Sequence, residues 1–307
     1  MLFFAKFCYT KAGWGDIMYV IEISNGGKAM KKAIQIEYNE SFELKCHIAS
    51  EVGFSDIAVN YTKVLGKSED DWKKITEDIL RILDETGLSC VQSHPHYYNP
   101  FESSEIIDDE MEYNIRQSIV SSAALGAKWC VIHPRTSFSS GFLLSKSFED
   151  NKKWFSALLE CAEKHGTGIA AENLPIFPSP NPIRPLFSYN VEHLTGLVDS
   201  FNCDNIGVCW DFGHANLLRG DQVPMLKALG ERIKCTHIHN NWGMRDNHAP
   251  PIYGNINWSA VMPALAKTGY HGPLTLETHC WYDDEALLRS FAKHNYENLE
   301  YLERLMK

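Results

Sequence analysis

From residue 30 onwards the chain alternates short apolar segments with amphipathic ones, and this alternation restricts its fold more than any other feature. Helical periodicity fills the intervals between the apolar segments, for example over 69–85, 148–165 and 284–304. Eight strand–helix units in succession predict an α/β fold in which a parallel sheet closes into a single (β/α)₈ barrel, the TIM barrel. The predicted strands are 33–37, 56–61, 88–94, 129–133, 168–172, 206–211, 233–237 and 273–277.

We expect the barrel to occupy residues 30–307 as one domain. A chain of 307 residues is long enough for such a barrel, and no linker or internal repeat divides it. Residues 1–29 are predicted to be an N-terminal extension outside the barrel, because the regular pattern begins only after Met30. Lys6 and Lys11 interrupt the apolar run of this extension, which is not expected of a signal peptide.

The composition argues against several function classes. The net charge is −10, whereas a general nucleic-acid or anionic-membrane surface needs an excess of basic residues. No apolar stretch reaches transmembrane length. The nine cysteines are scattered singly without a CxxC pair, which favours free thiols in a reducing, cytoplasmic location. Four of them lie in apolar segments and are expected to be buried: Cys90, Cys130, Cys209 and Cys235.

Residues with imidazole or carboxylate side chains stand at or just after the ends of the predicted strands from the third onwards. The C-terminal ends of barrel strands converge on one mouth, so these groups can share a site. Neutral imidazole together with carboxylate suits a divalent ion such as Mn²⁺, Zn²⁺, Co²⁺ or Mg²⁺. The residues are His94, His133, Glu172, Asp211, His214, His237, Asp246, His248 and Glu277.

Structural roles compete with this interpretation at several positions. Asp211 could serve only as the N-cap of the next helix, and Glu172 could belong to a buried salt bridge. His239 is an alternative to His237, because strand alternation points both to the same side. In the same way, His96 in the segment SHPHY is an alternative to His94.

Two long connections follow the fourth and fifth predicted strands, at 135–147 and 173–190, and the second contains five prolines. Both are expected on the C-terminal side of the barrel, where long loops form lids or substrate walls. Their basic residues are only Arg135, Lys146 and Arg184, too few for a phosphate track along DNA. Arg135 and Arg184 are candidate ligands for a single phosphate group on a substrate.

The segments SHPHY, VIHP, AAENL, VCWDFGHA, THIHNN, RDNHAPPIYGNINW and TLETH resemble the sugar phosphate isomerase/epimerase family of the xylose isomerase-like superfamily of TIM barrels. The resemblance covers strands three to eight. It implies one divalent ion, Mn²⁺ foremost, held by a Glu, an Asp, a His and a Glu on strands five to eight. Carried onto this sequence, these are Glu172, Asp211, His237 and Glu277.

The resemblance also implies an activity and a substrate class. Glu172 and Glu277 would exchange a proton next to the carbonyl of a chelated sugar, through a metal-stabilised enediolate. The partner is then a small sugar-like molecule, with neither nucleic acid nor membrane expected, and the chain would act alone, as a homo-oligomer or with a second subunit. The substrate-binding residues implied are His94, His133, His214, Arg245, Asp246, His248 and Trp242.

Two other activities share this architecture. Where the neighbouring carbon carries a leaving group, the same proton abstraction gives a lyase, either a dehydratase or a C-glycoside-cleaving deglycosidase. The superfamily's apurinic endonuclease uses three zinc ions, and all nine strand-end residues have counterparts there. The net charge of −10 and the sequence of the segment 246–258, which resembles the sugar isomerases of the superfamily, favour the isomerase over the endonuclease.

Overall fold

Eight parallel strands form one sheet that curves into a nearly closed barrel. The computed structural model describes residues 29–96, 109–136, 144–176 and 186–307. Neighbouring strands follow the order β7-β6-β5-β4-β3-β2-β1-β8, which confirms the predicted TIM barrel. The strands are β1 (Lys32–Glu37), β2 (Asp56–Asn60), β3 (Ser89–His94), β4 (Trp129–Ile132), β5 (Gly168–Glu172), β6 (Ile206–Asp211), β7 (Ile233–His237) and β8 (Leu274–Leu276).

Helices alternate with the strands and pack around the sheet. Each strand ends within one residue of its predicted end, and the helices predicted over 69–85, 148–165 and 284–304 are all present. The helices are α1 (Phe42–Val52), α2 (Glu69–Thr86), α3 (Asp109–Ala124), α4 (Leu144–His165), α5 (Val191–Asp199), α6 (Phe212–Leu217), α7 (Gln222–Leu229), α8 (Trp258–Lys267) and α9 (Glu285–Leu305).

Helix α2 shows how local sequence sets these boundaries. The Ser68 side chain accepts a hydrogen bond from the backbone N–H of Asp71, whose carboxylate reaches back to the Ser68 N–H, so a capping box starts the helix. Gly87, with φ of 70°, ends it in the left-handed conformation that favours glycine. Between these ends the apolar residues repeat at helical spacing and are buried against the barrel: Trp72, Ile75, Ile79, Ile82 and Leu83.

The described core residues form three clusters, the third of which consists of Ile48, Leu288 and Ala292 on α1 and α9. Strand residues that point outwards join the helices in one large cluster, whereas a smaller cluster of Trp129, Val131, Ala170, Cys209 and Cys235 lies apart from it. The four cysteines predicted to be buried are buried, and burial raises the pKa of Cys90 and Cys130 to about 12. They therefore act as small apolar residues rather than as reactive thiols.

The barrel has one weakly paired seam, between β7 and β8. The two strands meet through a single bridge, which joins Ile238, just after β7, to Leu276. The Ile238 N–H donates to the Thr275 carbonyl at 2.8 Å, and the Glu277 N–H donates to the Ile238 carbonyl at 3.1 Å. His237 and Glu277 therefore stand on opposite sides of this seam.

Some predicted features lie outside the described residues. The extension predicted over 1–29 is one, since only residue 29 of it is described. The loops predicted after β4 and β5 are described only at 135–136 and 144–147, and at 173–176 and 186–190. The domain boundary at residue 30 and the role of both loops as substrate walls stay predictions. None of the helices in the described residues is both long and apolar enough to cross a membrane.

Candidate active site

Four acidic and imidazole side chains meet at the C-terminal mouth of the barrel. Glu172, Asp211 and His237 are the last residues of β5, β6 and β7, and Glu277 follows β8 directly. Each offers a ligand atom within 4.8 Å of the others, and all four residues are buried. Parallel strands end on the same side of a barrel, which is why residues so distant in sequence converge here.

The ring of His237 lies among the three carboxylates. Its Nδ1 atom is 3.2 Å from Glu172 Oε1, 3.1 Å from Glu277 Oε2 and 3.8 Å from Asp211 Oδ2. Within the described part of the chain, the buried Oε2 atoms of Glu172 and Glu277 accept no hydrogen bond of good geometry. Clustered buried carboxylates are costly unless positive charge balances them, so this donor set fits a cation.

Electrostatics support the same conclusion. Burial alone would raise the pKa values of Glu172 and Glu277, but the charges and hydrogen bonds of the surrounding histidines, His237 foremost, together outweigh it and hold both pKa values well below their ordinary value. Burial would lower the pKa of His237, but Glu277 and Glu172 raise it well above its usual range. Protons on imidazoles therefore balance the clustered carboxylates of the metal-free protein, and a divalent ion would replace them.

A second donor set adjoins the first through Glu172. His133 Nε2 lies 3.0 Å from Glu172 Oε2, and His94 Nε2 lies 3.4 Å from the same oxygen. His94 Nδ1 donates to the Pro95 carbonyl at 2.8 Å, which turns Nε2 towards Glu172. His96 instead contacts the Thr62 carbonyl, so the structure brings His94, not His96, to the mouth.

A third donor set consists of His214, Asp246 and His248. The Nε2 atoms of the two histidines both lie 3.1 Å from Asp246 Oδ2. Each ring is fixed by its other nitrogen, because His214 Nδ1 donates to the Asn173 carbonyl at 2.8 Å and His248 Nδ1 to the Glu277 carbonyl at 3.0 Å. Fixing one nitrogen in this way directs the other towards a ligand.

Asp211 is the N-cap of α6 and also faces the first donor set. Its Oδ1 accepts the His214 N–H at 2.7 Å, as the N-cap of α6, while its Oδ2 faces the first donor set. Asn173 braces this turn, since its Oδ1 accepts the Asp211 N–H at 2.7 Å and its Nδ2 donates to the Asp211 carbonyl at 2.8 Å. Sequence reasoning missed Asn173, although the segment AAENL contains it.

His239 has a position of its own beside the cluster. Its Nε2 lies 3.0 Å from Asp211 Oδ1, and its ring stacks on His248 with centroids 4.2 Å apart. Both histidines of THIH therefore face the mouth, but His237 contacts the two glutamates and His239 braces Asp211. Gly213 makes this possible, because a Cβ there would lie 1.8 Å from His239 Cε1.

The predicted substrate residues divide into two groups. His94, His133, His214, Asp246 and His248 line one cavity of about 740 Å³ together with Glu172 and Glu277. Arg245 and Trp242 are exposed and do not line it, and their role in substrate binding stays a prediction.

Arg135, considered in the sequence as a phosphate ligand, is engaged with neighbouring side chains. Its guanidinium lies 3.8 Å from the centre of the Trp154 ring, and its Nη2 lies 3.6 Å from Glu112 Oε2. A side chain held in this way contributes to packing between helix α4 and its surroundings. Arg184, the other candidate, lies outside the described residues.

Metal binding at this mouth should strengthen as the pH rises. Burial would lower the pKa of His248, but its hydrogen bond to Asp246 and the charge of Glu277 raise it to about 9, and the pKa of His214 is also raised. An ion in the first donor set must displace the proton of His237, whose pKa is also raised, and is repelled by these charged rings, so affinity should increase up to about pH 9 with proton release. Calorimetry with Mn²⁺ at several pH values, in buffers of different ionisation enthalpy, measures both effects. Equal affinity at pH 6 and pH 8 would contradict the prediction.

Two curated relatives match about half of the chain, and both are uncharacterized. One, from Sinorhizobium fredii, is 29% identical over 168 residues, which are 53% of this chain and 51% of the relative. The other, from Methanocaldococcus jannaschii, is 30% identical over 188 residues, which are 58% of this chain and 60% of the relative. The matches thus span between half and two thirds of the length of these relatives.

Solved structures of similar fold include sugar epimerases. The D-psicose 3-epimerase of Clostridium cellulolyticum is 15% identical with a TM-score of 0.67, covering 91% of this chain and all of that chain. The 3-keto-D-glucoside 4-epimerase of E. coli is 15% identical with a TM-score of 0.66, covering 89% of this chain and all of that chain. At this identity the likeness concerns the fold.

The family comparison covers most of the barrel. The model of a family described as xylose isomerase-like TIM barrel matches residues 46–296, a range that extends from α1 into α9 and includes every residue of the three donor sets. The eight-stranded barrel and the family match lead to the same conclusion. The chain belongs to the family of xylose isomerase-like TIM barrels.

Proposed function

We propose that this chain is a divalent-metal-dependent isomerase or epimerase of sugars or sugar derivatives. The observation that carries the proposal is the placement of two buried, ionised glutamates on either side of His237 at the barrel mouth. The sugar epimerases among the solved structures of the same fold support the substrate class.

The first donor set would hold the ion. Glu172, Asp211, His237 and Glu277 offer three carboxylates and one imidazole, which suits Mn²⁺, with Zn²⁺, Co²⁺ and Mg²⁺ as alternatives. A divalent ion held by these residues would supply Lewis-acid stabilisation of the negative charge that develops on the substrate oxygens. The convergence of the buried carboxylate oxygens on the His237 ring supports this assignment.

The two glutamates are suited to move the proton. They come from opposite sides of the mouth, on β5 and after β8, and their ligand oxygens lie within 4.8 Å of each other. One carboxylate removes a proton from the carbon next to the carbonyl, and the other returns a proton at the opposite face or the adjacent atom. Gln35 Nε2 donates to Glu277 Oε1 at 3.1 Å, which favours the ionised form of Glu277.

The remaining polar residues of the cavity would orient the sugar. His94 and His133 stand beside Glu172, and His214, Asp246 and His248 form the opposite wall. Burial lowers the pKa of His133, so its ring is neutral and offers both a donor and an acceptor to hydroxyl groups.

Deuterium exchange tests this function directly. The Mn²⁺-loaded protein, incubated in D₂O with D-fructose, D-tagatose, D-psicose or a 3-keto-D-glucoside, should place deuterium next to the carbonyl of at least one of them. Glu277→Gln should slow this exchange by about a hundredfold or more, the usual contribution of a general base. Absence of exchange in the whole panel would overturn the proposed substrate class. Elimination products instead of epimers would show that the enzyme is a lyase.

A second candidate function is favoured by the second and third donor sets. The described residues of the mouth offer four overlapping groups of ligands: the three donor sets, the first two of which share Glu172, and a group of His239, His248 and Glu277. Several adjacent groups of this kind would suit a three-zinc phosphoester hydrolase such as an apurinic endonuclease. The acidic net charge of −10 argues against DNA as the substrate. Metal content decides between the two. One ion per chain after Mn²⁺ or Zn²⁺ loading supports the isomerase, and three tightly bound zinc ions with cleavage of abasic DNA support the hydrolase.

We also propose that the protein acts in the cytoplasm. The eight cysteines in the described residues are free thiols, which agrees with the predicted reducing, cytoplasmic location. A small sugar is the proposed partner, and a homo-oligomer or a second subunit stays a prediction.

A further inference from the structure

The cavity at the mouth has two chemically different ends. One end is the polar floor formed by the donor sets. The other end, which we call the recess, lies between β1 and the helices α1 and α9, and its described lining is mainly apolar. The recess is defined by Ile34, Ile48, Ala49, Leu288, Phe291 and Ala292.

The recess is lined by residues of two separate apolar clusters. Ile48, Leu288 and Ala292 form a small cluster that is not joined to the main core, whereas Ile34 and Ala49 belong to that core. Protein interiors are close-packed, and an apolar surface that faces a gap loses dispersion contacts. An apolar group that entered from the mouth would restore these contacts.

The charges around the recess do not suit an anionic group. Among the described lining residues, Lys63 Nζ lies 3.1 Å from Glu37 Oε2, and Lys45 Nζ lies 3.7 Å from Asp283 Oδ1. Both lysines are thus balanced by acids, whereas a phosphate would require cations in excess. Trp281, which is 81% exposed and lines the cavity, adds an aromatic surface at the entrance.

The size of the cavity agrees with a substrate larger than one sugar ring. Its volume of about 740 Å³ falls in the range of pockets that hold drug-sized ligands, roughly 300–1,000 Å³. A single sugar on the polar floor would leave the apolar end unfilled. We propose that the recess binds an uncharged apolar substituent, alkyl or aryl, carried by the substrate sugar. This inference rests on the proposed function for the sugar end.

A series of alkyl glucosides tests the recess separately from catalysis. Methyl, butyl and hexyl β-D-glucopyranoside carry the same sugar, so any change of affinity along the series reports only the apolar end. Titration calorimetry of the Mn²⁺-loaded protein should show affinity that rises by roughly threefold to fourfold for each added methylene. Affinity that does not depend on chain length, or no binding of the hexyl compound, would overturn the proposal.

Variants on α9 supply matched controls. Ala292→Phe fills the recess and should abolish the dependence on chain length, whereas Ala286→Phe, at an exposed position outside it, should preserve the dependence. Phe291→Ser, at a half-buried position, should reduce it without the crowding that could unfold the first variant. If both Ala292→Phe and Phe291→Ser keep the full dependence, the recess is not the binding site.

The result is independent of the proposed activity. A protein that exchanges no deuterium but retains this dependence would refute the activity and support the recess. A protein that exchanges deuterium into free sugars but binds all alkyl glucosides equally would support the activity and refute the recess.

Discussion

Replacing Glu172 with Gln should abolish turnover and remove the bound ion. Glu172 belongs to two donor sets, and its oxygens lie within 3.4 Å of His237, His133 and His94. An amide has no charge to attract a cation, and its NH₂ group would face imidazole nitrogens. Loss of a general base alone lowers the rate by about a hundredfold to ten-thousandfold, and loss of the ion adds to this.

The measurement combines metal analysis with the deuterium-exchange rate. Glu160→Gln, the same change at an exposed position of α4, serves as the control and should keep both the ion and the rate of the wild type. Full activity or full metal content in Glu172→Gln would show that the site assignment is wrong.

Substituting Gly213 with Ala should destabilise the protein strongly. The new Cβ would lie 1.8 Å from Cε1 and 2.3 Å from Nδ1 of His239, whose ring is fully buried. That ring cannot move away freely, because it pairs with Asp211 and stacks on His248. Overpacking of this kind costs about 3 kcal/mol or more in the free energy of unfolding.

The displaced ring would also disturb Asp211, so metal affinity should fall together with stability. Urea unfolding gives the stability change, and metal analysis gives the second effect. Gly196→Ala in α5 is the matched control, because its Cβ would make an ordinary contact at 3.6 Å with Phe148. Alanine is the better helix former, so the control should be stabilised by about 0.5–1 kcal/mol. Equal unfolding midpoints for Gly213→Ala and the wild type would show that the His239 ring leaves room for a Cβ at position 213, which would contradict the prediction.

The fold was predictable because the strands are short, buried and separated by amphipathic helices. Strand β6 has the predicted limits, and the predicted strand 273–277 is longer than β8 only by Pro273 and Glu277. Convergence of the strand-end residues followed from the parallel arrangement alone. Strand periodicity sends His237 and His239 to the same side, so the sequence left that choice open.

Other features depend on tertiary packing and left no local signal. Asn173 braces Asp211 and His214 through backbone contacts that a sequence pattern does not encode. The recess arises from the way α1 packs against α9. Arg245 and Trp242 lie in a connection without periodicity, where the resemblance gave residue types but no direction for the side chains.

The weakly paired seam gives the proposed ion a mechanical role. His237 and Glu277 flank the single bridge between β7 and β8, and both belong to the first donor set. An ion bound to both residues would link β7 and β8, the two edge strands of the sheet, at a place where few main-chain hydrogen bonds connect them. The same ion would then serve catalysis and hold the barrel closed. Loss of the ion would weaken the contact between β7 and β8 first, which is where Glu277, the proposed base, is located.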